Sequence, residues 1–312
     1  MFQVGIVGCG GIGNTHGRNW SAIEGVRVAA VCDLNEEKAR AAGESFDCPW
    51  YTHPEQLPAQ LDAVSVATPP MAHYPVVRQL LEQGYPVFCE KPLTMEVEQG
   101  EELDRLAKEK GLVLAVGFKM RFESIFQEAK KYLNQVGKIV SINTTKLQAF
   151  NPRPEGAWVK RVGAMYELSV HDFDLITFLT GRYPQKVLFS QLRHRFGWEA
   201  DDAFSITADY GDGITGMFQG MYAVSSTFCY RDLTITFLGD KGYMRIERPD
   251  RIILHTDAYQ VIEVPPFDKS AFELELEHFR AAVEGREANT LTAAGAVRMT
   301  WLIEEAKRLS VE

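Results

Sequence analysis

Apolar and polar positions along the first third of the chain alternate in blocks. Residues 2–7 (Phe2-Gln3-Val4-Gly5-Ile6-Val7) read as a buried strand and run directly into Gly8-Cys9-Gly10-Gly11-Ile12-Gly13. Helical spacing follows over 14–23, then a second apolar run over 26–32 closes on Asp33. The series continues with a helix over 36–45, a short strand at 49–51 and a strand over 61–67 stopped by Thr68-Pro69-Pro70. A helix over 74–83 ends at Gly84, and a strand over 85–89 leads into Glu90-Lys91-Pro92-Leu93. A helix over 95–110 and a strand over 112–118 complete it. Strands alternating with helices predict a doubly wound parallel (Rossmann) sheet.

After Phe122 the pattern changes. A helix over 123–134 precedes a long alternating strand at 139–149, and a helix is predicted over 165–179. Strand-like runs then occupy 186–195, 203–210, 213–222, 232–238, 243–247, 252–255 and 261–264. Gly211-Asp212-Gly213 and Gly239-Asp240-Lys241-Gly242 supply hairpin turns. Two helices, 269–284 and 292–309, close the chain. The fold class is therefore α/β plus α+β, with domains at 1–121 and 122–312. The second domain is expected to hold a large, mostly antiparallel open sheet covered by helices on one face. An open face carrying Phe218, Tyr222 and Phe228 calls for a second copy of the chain, predicting a homodimer or homotetramer.

The glycine cluster has the form G-x-G-x-x-G between a strand and a helix. Gly8 permits the tight turn, Gly10 lets the backbone approach a pyrophosphate, and Gly13 lets helix and strand pack closely. Gly11, Ile12 and Gly13 open the helix, whose free N–H groups and positive dipole end attract phosphates. Asp33, 20 residues after Gly13, suits the hydroxyls of an adenosine ribose and repels a 2′-phosphate. A dinucleotide cofactor is expected, NAD by preference; Lys38 and Arg40 just beyond Asp33 leave NADP open. Glu90 and Lys91 fall at the carboxyl end of a strand, on the same sheet edge, where open α/β sheets bind their ligands.

Further on, Glu167, His171 and Asp174 stand at i, i+4 and i+7 and share one face of the expected helix. Three ionisable groups on one stripe mark a candidate site. The segment 151–163 carries Trp158 with Arg153, Lys160 and Arg161, and Lys146 lies nearby. It reads equally as a solvated loop or as a rim meeting a polar, anionic substrate.

Composition narrows the function classes. The chain has 312 residues, 46% hydrophobic and 24% charged, with a formal charge of −9, which argues against a nucleic-acid partner. No run approaches about 18 uncharged apolar residues, so no membrane span is expected. The N-terminus begins on a core strand with no room for a signal peptide, which predicts a cytoplasmic protein. The five cysteines lack C-x-x-C spacing and read as small buried hydrophobes, and no ligand cluster points to a metal.

With these motifs the chain resembles the Gfo/Idh/MocA family of NAD(P)-dependent oxidoreductases, which includes glucose-fructose oxidoreductase and inositol dehydrogenase, over essentially its whole length. The resemblance rests on the Gly8–Gly13 turn with His16, on Ala67-Thr68-Pro69-Pro70 with His73, and on Glu90-Lys91-Pro92-Leu93. It rests also on Gly117-Phe118-Lys119-Met120-Arg121-Phe122 and on the run 167–174, Glu-Leu-Ser-Val-His-Asp-Phe-Asp. The resemblance implies cofactor contacts from Thr68, Pro69, His73, Glu90 and Lys91, with Glu90 at the nicotinamide ribose. It also implies that Lys91 lies beside the substrate hydroxyl, after a peptide bond to Pro92 that is often cis in relatives, and that His171 transfers the proton. Substrate contacts are expected from Lys119, Trp158, Glu167 and Asp174. Many relatives carry Asp at position 167 and Asn at 119, so Glu167 and Lys119 change the shape and charge of the substrate pocket. The implied reaction is hydride transfer between NAD(P) and a secondary alcohol of a sugar, inositol or related polyol. Relatives that retain NAD and cleave glycosidic bonds, and non-enzymatic dinucleotide sensors of this fold, are the alternatives.

Overall fold

The computed structural model describes residues 1–149, 158–223 and 231–311, so Arg153, Phe228 and Cys229 lie outside the described residues. The chain forms two compact units.

The first unit comprises Met1–Lys119 and Lys269–Val297. Its strands are β1 (Phe2–Val7), β2 (Val26–Cys32), β3 (Trp50–Tyr51), β4 (Ala63–Val66), β5 (Val87–Glu90) and β6 (Leu114–Gly117). They form one parallel sheet in the order β3-β2-β1-β4-β5-β6. Helices α1 (Gly11–Ala22), α2 (Glu36–Phe46), α3 (His73–Glu82) and α4 (Val97–Glu109) connect them. β1, β4 and β5 are apolar on both faces, as strands covered on both sides must be. The register aligns Val7 with Cys32 and with Val66, and Val66 with Cys89. Gly8, Asp33, Ala67 and Glu90 therefore emerge side by side at the carboxyl edge.

The second segment of this unit corrects the expected boundary at 121/122. Helix α8 (Ala271–Val283), started by Ser270 accepting from Glu273 N at 3.0 Å, belongs with the sheet rather than with the second domain. Its buried stripe explains why: Phe279 lies 6.3 Å from Trp20 of α1 and 5.5 Å from Phe88 of β5, ring centre to centre. Farther on, Val116 N donates to Leu291 O at 2.9 Å and covers the edge of β6.

The second unit comprises Met120–Asp268 and Arg298–Glu312. After α5 (Ser124–Tyr132) come β7 (Ile139–Ala149), the short α6 (Val159–Val162) and α7 (Val170–Thr180). The strands β8 (Lys186–Arg193), β9 (Ala203–Asp209), β10 (Thr215–Ala223), β11 (Arg231–Gly239), β12 (Gly242–Glu247), β13 (Arg251–His255) and β14 (Tyr259–Glu263) follow. The eight strands run in the order β14-β13-β12-β11-β7-β10-β9-β8, antiparallel except where β10 pairs with β7. The closing helix α9 (Ala293–Arg308) begins in the first unit and ends in the second.

Phe218 and Tyr222 do not lie on the open face. Phe218 pairs with Thr144 and packs 5.1 Å from Phe173 of α7, while Tyr222 rests against Trp198 at 5.4 Å, both fully buried. Gly216 and Gly220, on the same face, leave the room that Tyr210 and Phe218 fill at the first and Phe204 at the second. The exposed face of β10 carries Met217 (41% exposed) and Met221 (36%) instead. Among the described residues no helix is long and apolar enough to cross a membrane, and no group of three or more His, Cys, Asp or Glu is placed to hold a metal.

Removing the Phe279 ring should cost about 3–5 kcal/mol of stability, because the residue fills a gap between α1 and β5. Urea unfolding of Phe279→Ala checks this; a cost below about 1 kcal/mol would show that α8 is not part of the first unit's core.

Candidate active site

The glycine turn is built as its spacing requires. Gly8 sits at φ +96°, and a side chain there would meet the Ala67 backbone at 2.7 Å. A Cβ on Gly13 would fall 1.7 Å from Gly8 O, so the helix start is pressed against the turn. Gly10 differs: its φ of −75° is ordinary and a Cβ there would meet nothing within 4 Å. Its lack of a side chain keeps a space open rather than relieving a clash. Asn14 Nδ2 braces the turn by donating to Cys9 O (2.9 Å) and Gly10 O (3.0 Å). No side chain caps α1, and Asn14 N is the first amide bonded back into the turn, to Gly10 O at 2.9 Å. Ile12 is 46% exposed on that first turn.

Asp33 accepts from Cys9 N and Asn35 N, both at 2.8 Å, which locks its carboxylate beside the turn while leaving lone pairs for ribose hydroxyls. Thr68, on the loop beyond β4, has a buried hydroxyl with no hydrogen-bond partner among the described residues. Open amides, an open glycine and an orphaned hydroxyl on one edge fit a dinucleotide's phosphates and sugars.

Glu90 ends a one-way chain of hydrogen bonds. Trp20 Nε1 donates to Ser65 Oγ (3.4 Å), and with the acceptor-only Glu90 carboxylate claiming the Nε2 proton of the imidazole, the Ser65 hydroxyl donates to His16 Nδ1 (3.0 Å). The remaining His16 Nε2–H donates to Glu90 Oε1 (3.0 Å). Glu90 Oε2 accepts from Lys91 N at 3.2 Å. Burial works to raise the Glu90 carboxyl, but the His16 hydrogen bond and the Lys91 charge outweigh it and hold Glu90 below its ordinary range. Lys91 is thus presented by a fixed carboxylate, and its bond to Pro92 is cis.

His73 is not free to contact a cofactor through its ring. Fully buried, it places Nδ1 2.6 Å from Pro92 O and Nε2 2.8 Å from Thr68 O, bracing the loops after β4 and β5 against each other. Burial pushes its imidazole below the ordinary range, against the pull of both carbonyls. Lys119, where the chain leaves β6, lies over the Phe272 ring at 4.7 Å. The thiols are inert: burial raises Cys9 and Cys32 to about 12 and Cys48 to about 11.

In the second unit the expected helix over 165–179 begins with a π turn, Met165–Ser169, before α7. Asp201 accepts from Met165 N at 3.0 Å, and the Lys146 ammonium donates to Leu168 O. Glu167 lies in this wider turn, so α-helical spacing no longer relates it to His171. His171 stands buried at the start of α7, flanked by two neutralised acids. Asp172 is paired with Lys146 at 2.9 Å. Asp174 is gripped by both arms of Arg121, with Nε at 2.7 Å from Oδ2. The proposed role of Asp174 toward substrate or imidazole is therefore replaced by a structural one, and Lys146 is a buried partner rather than a rim cation. Arg121 and Lys146 were missed as partners because each reaches across a long sequence gap. Trp158 is half-buried at the start of α6, where its carbonyl accepts from Arg161 N and Val162 N.

Residues 2–118 match the family described as "Oxidoreductase family, NAD-binding Rossmann fold", and residues 126–245 match the "GFO/IDH/MocA C-terminal domain". The chain belongs to the Gfo/Idh/MocA oxidoreductase family. An inositol 2-dehydrogenase of Rhizobium meliloti is 28% identical over 300 residues, 90% of this chain and 88% of that protein. A 2,7-anhydro-N-acetylneuraminate hydratase of Mediterraneibacter gnavus is 30% identical over 78% of this chain and 67% of its own. Among solved structures, an Agrobacterium radiobacter oxidoreductase in complex with NAD+, L-tartaric acid and magnesium shares the fold at a TM-score of 0.89. That similarity covers 99% of this chain and 96% of the other at 17% identity. As a family member the protein is an oxidoreductase with an NAD-binding Rossmann domain, and the edge described above lies within the matched residues 2–118.

The two glycines separate folding from binding. Gly13→Ala should destabilise the first unit. Gly10→Ala should leave the melting temperature near wild type while weakening NAD by about 1–3 kcal/mol, roughly 5- to 150-fold. Calorimetric melting with NAD titration checks both, and unchanged NAD affinity in Gly10→Ala would remove the pyrophosphate from this turn.

Proposed function

We propose that the protein oxidises a secondary alcohol of a sugar, inositol or related polyol, with Lys91 holding the substrate oxygen and His171 moving its proton. The observation that carries this reading is the buried Trp20–Ser65–His16–Glu90 chain that ends on Lys91 N, on the same sheet edge as the glycine turn. Strand order places the switch point between β1 and β4. With Asp33 on the β2 side, the nicotinamide half of the cofactor lies toward β4 and β5, where Lys91 emerges. When bound, NAD supplies a hydride acceptor.

The chain's own residues supply position and charge. The Lys91 ammonium stabilises negative charge on the substrate oxygen as its proton leaves, and the His171 imidazole accepts that proton. Glu167, Lys119 and Trp158 hold neighbouring hydroxyls or an acidic group. Relatives named inositol 2-dehydrogenase and UDP-N-acetylglucosamine 3-dehydrogenase support the substrate class. His171→Ala should lower kcat by roughly 10²- to 10⁴-fold with NAD affinity near wild type, and Lys91→Met should be similarly damaged. The check is a spectrophotometric screen for reduced nicotinamide with inositols, aldoses and sugar acids; an unchanged kcat would remove the residue concerned from the mechanism.

The hydratase relative favours one second reading, in which the cofactor is retained and returned to its starting state. Substrate consumption without net reduced nicotinamide would select it.

A homodimer or homotetramer through the second sheet is the working assembly, supported by the exposed Met217, Met221 and Leu238 where Phe218 and Tyr222 turned out buried. Light scattering should then show an oligomer that Met217→Glu with Met221→Glu converts to monomer; a wild-type monomer would end this assignment.

A further inference from the structure

Helix α8 carries an acid where its stripe should be apolar. Glu275 is fully buried, and neither carboxyl oxygen has a hydrogen-bond partner among the described residues. The other acids of α8 are occupied elsewhere: Glu273 and Glu277 with Lys269, and Glu284 just beyond with Arg280. Phe272, one turn before Glu275, lies 5.9 Å from the His16 ring and under the Lys119 ammonium. The charges that act on Glu275 are Glu90 of β5 and Lys119 after β6, with His16, Lys91 and His73 behind Glu90.

We propose that Glu275 is a positioning residue of the dinucleotide site whose charge state sets the preference for oxidised over reduced cofactor. Two carboxyl groups then meet the nicotinamide half, one ionised and one neutral. Burial, and next the negative charge of Glu90, push Glu275 well above the ordinary carboxyl range, while Lys119 pulls the other way. Glu90, satisfied by His16 and Lys91 N, keeps the negative charge. Environments that drive two nearby carboxyls apart in this way are how one site carries both forms.

The oxidised nicotinamide ring is positively charged and the reduced ring is neutral. A second carboxylate at this edge therefore favours NAD over NADH, and the proton on Glu275 withholds that bias until the pH rises. The linkage to stability has the same origin. A carboxyl raised in the folded state binds more protons there than in the unfolded chain, so stability is present at acid pH. It is lost as pH rises from the ordinary Glu value toward the folded one.

The inference rests on the cofactor reading of this edge, and the test separates the two. Dissociation constants of NAD and NADH are measured across mildly acidic to alkaline pH for wild type, Glu275→Gln and Glu275→Leu, together with melting temperatures. Wild type should shift toward NAD relative to NADH by on the order of tenfold as pH rises, with both variants flat. At neutral pH the variants should melt about 2–4 °C above wild type, the difference closing in acid. A wild-type ratio that follows the variants at every pH, or variants that melt below wild type at neutral pH, would overturn the role of Glu275. Wild type that binds neither dinucleotide would instead overturn the site itself and the proposal with it.

Discussion

A single buried imidazole organises the carboxyl edge of the first unit. His16 has an acceptor on one side and a donor on the other, because the Glu90 carboxylate can only accept from Nε2 and the Ser65 hydroxyl supplies the proton at Nδ1. Every proton in the chain then points one way, and a neutral imidazole satisfies it. α1, β4 and β5 are joined through side chains whose only good arrangement is this one. The low Glu90 carboxyl and the presentation of Lys91 both depend on it. If His16 turned over, the chain would leave a buried hydroxyl and a buried carboxylate facing unmatched groups.

The second unit solves a related problem with cations. Residues 171–174 place one imidazole and two carboxylates, all buried, within a single turn. Lys146 from β7 and Arg121 from the turn after β6 neutralise the two acids. Burial alone would lower the Arg121 guanidinium, but Asp174 beside it raises it above its ordinary value. Lys146 also bonds the Leu168 carbonyl, where the π turn gives way to α7 and the regular ladder is broken. One cation thus balances an acid and repairs a backbone irregularity next to the candidate proton carrier.

Most of the first sheet was legible because its strands are uniformly apolar and bounded by glycine or proline, and local pattern suffices for that. The glycine turn, Asp33, Glu90 and Lys91 were legible for the same reason, each standing at the end of such a run. What local pattern lacks is the identity of distant partners. Alternation puts residues 218, 220 and 222 on one face of β10 but does not say whether that face meets helices or a partner. Nor does spacing reveal that Arg121 would take Asp174, 53 residues on, away from His171. His73 was expected as a cofactor contact from the resemblance, whereas its two nitrogens lie against the carbonyls of Pro92 and Thr68. For Glu275 a signal existed: an acid in register with Leu276 and Phe279 on an amphipathic helix.

The divided first unit bears on how the chain matures during synthesis. Its sheet is complete in sequence by residue 117, yet α8 and the strand-edge contact at Leu291 come after all eight strands of the second sheet. While those intervening residues are being made, Trp20 and Phe88 lack the ring of Phe279 that later packs against them. The nascent Rossmann sheet must wait, with an apolar patch uncovered, for a helix that leaves the ribosome after the second sheet. Vectorial synthesis therefore completes the first core only once the strands of the second have emerged.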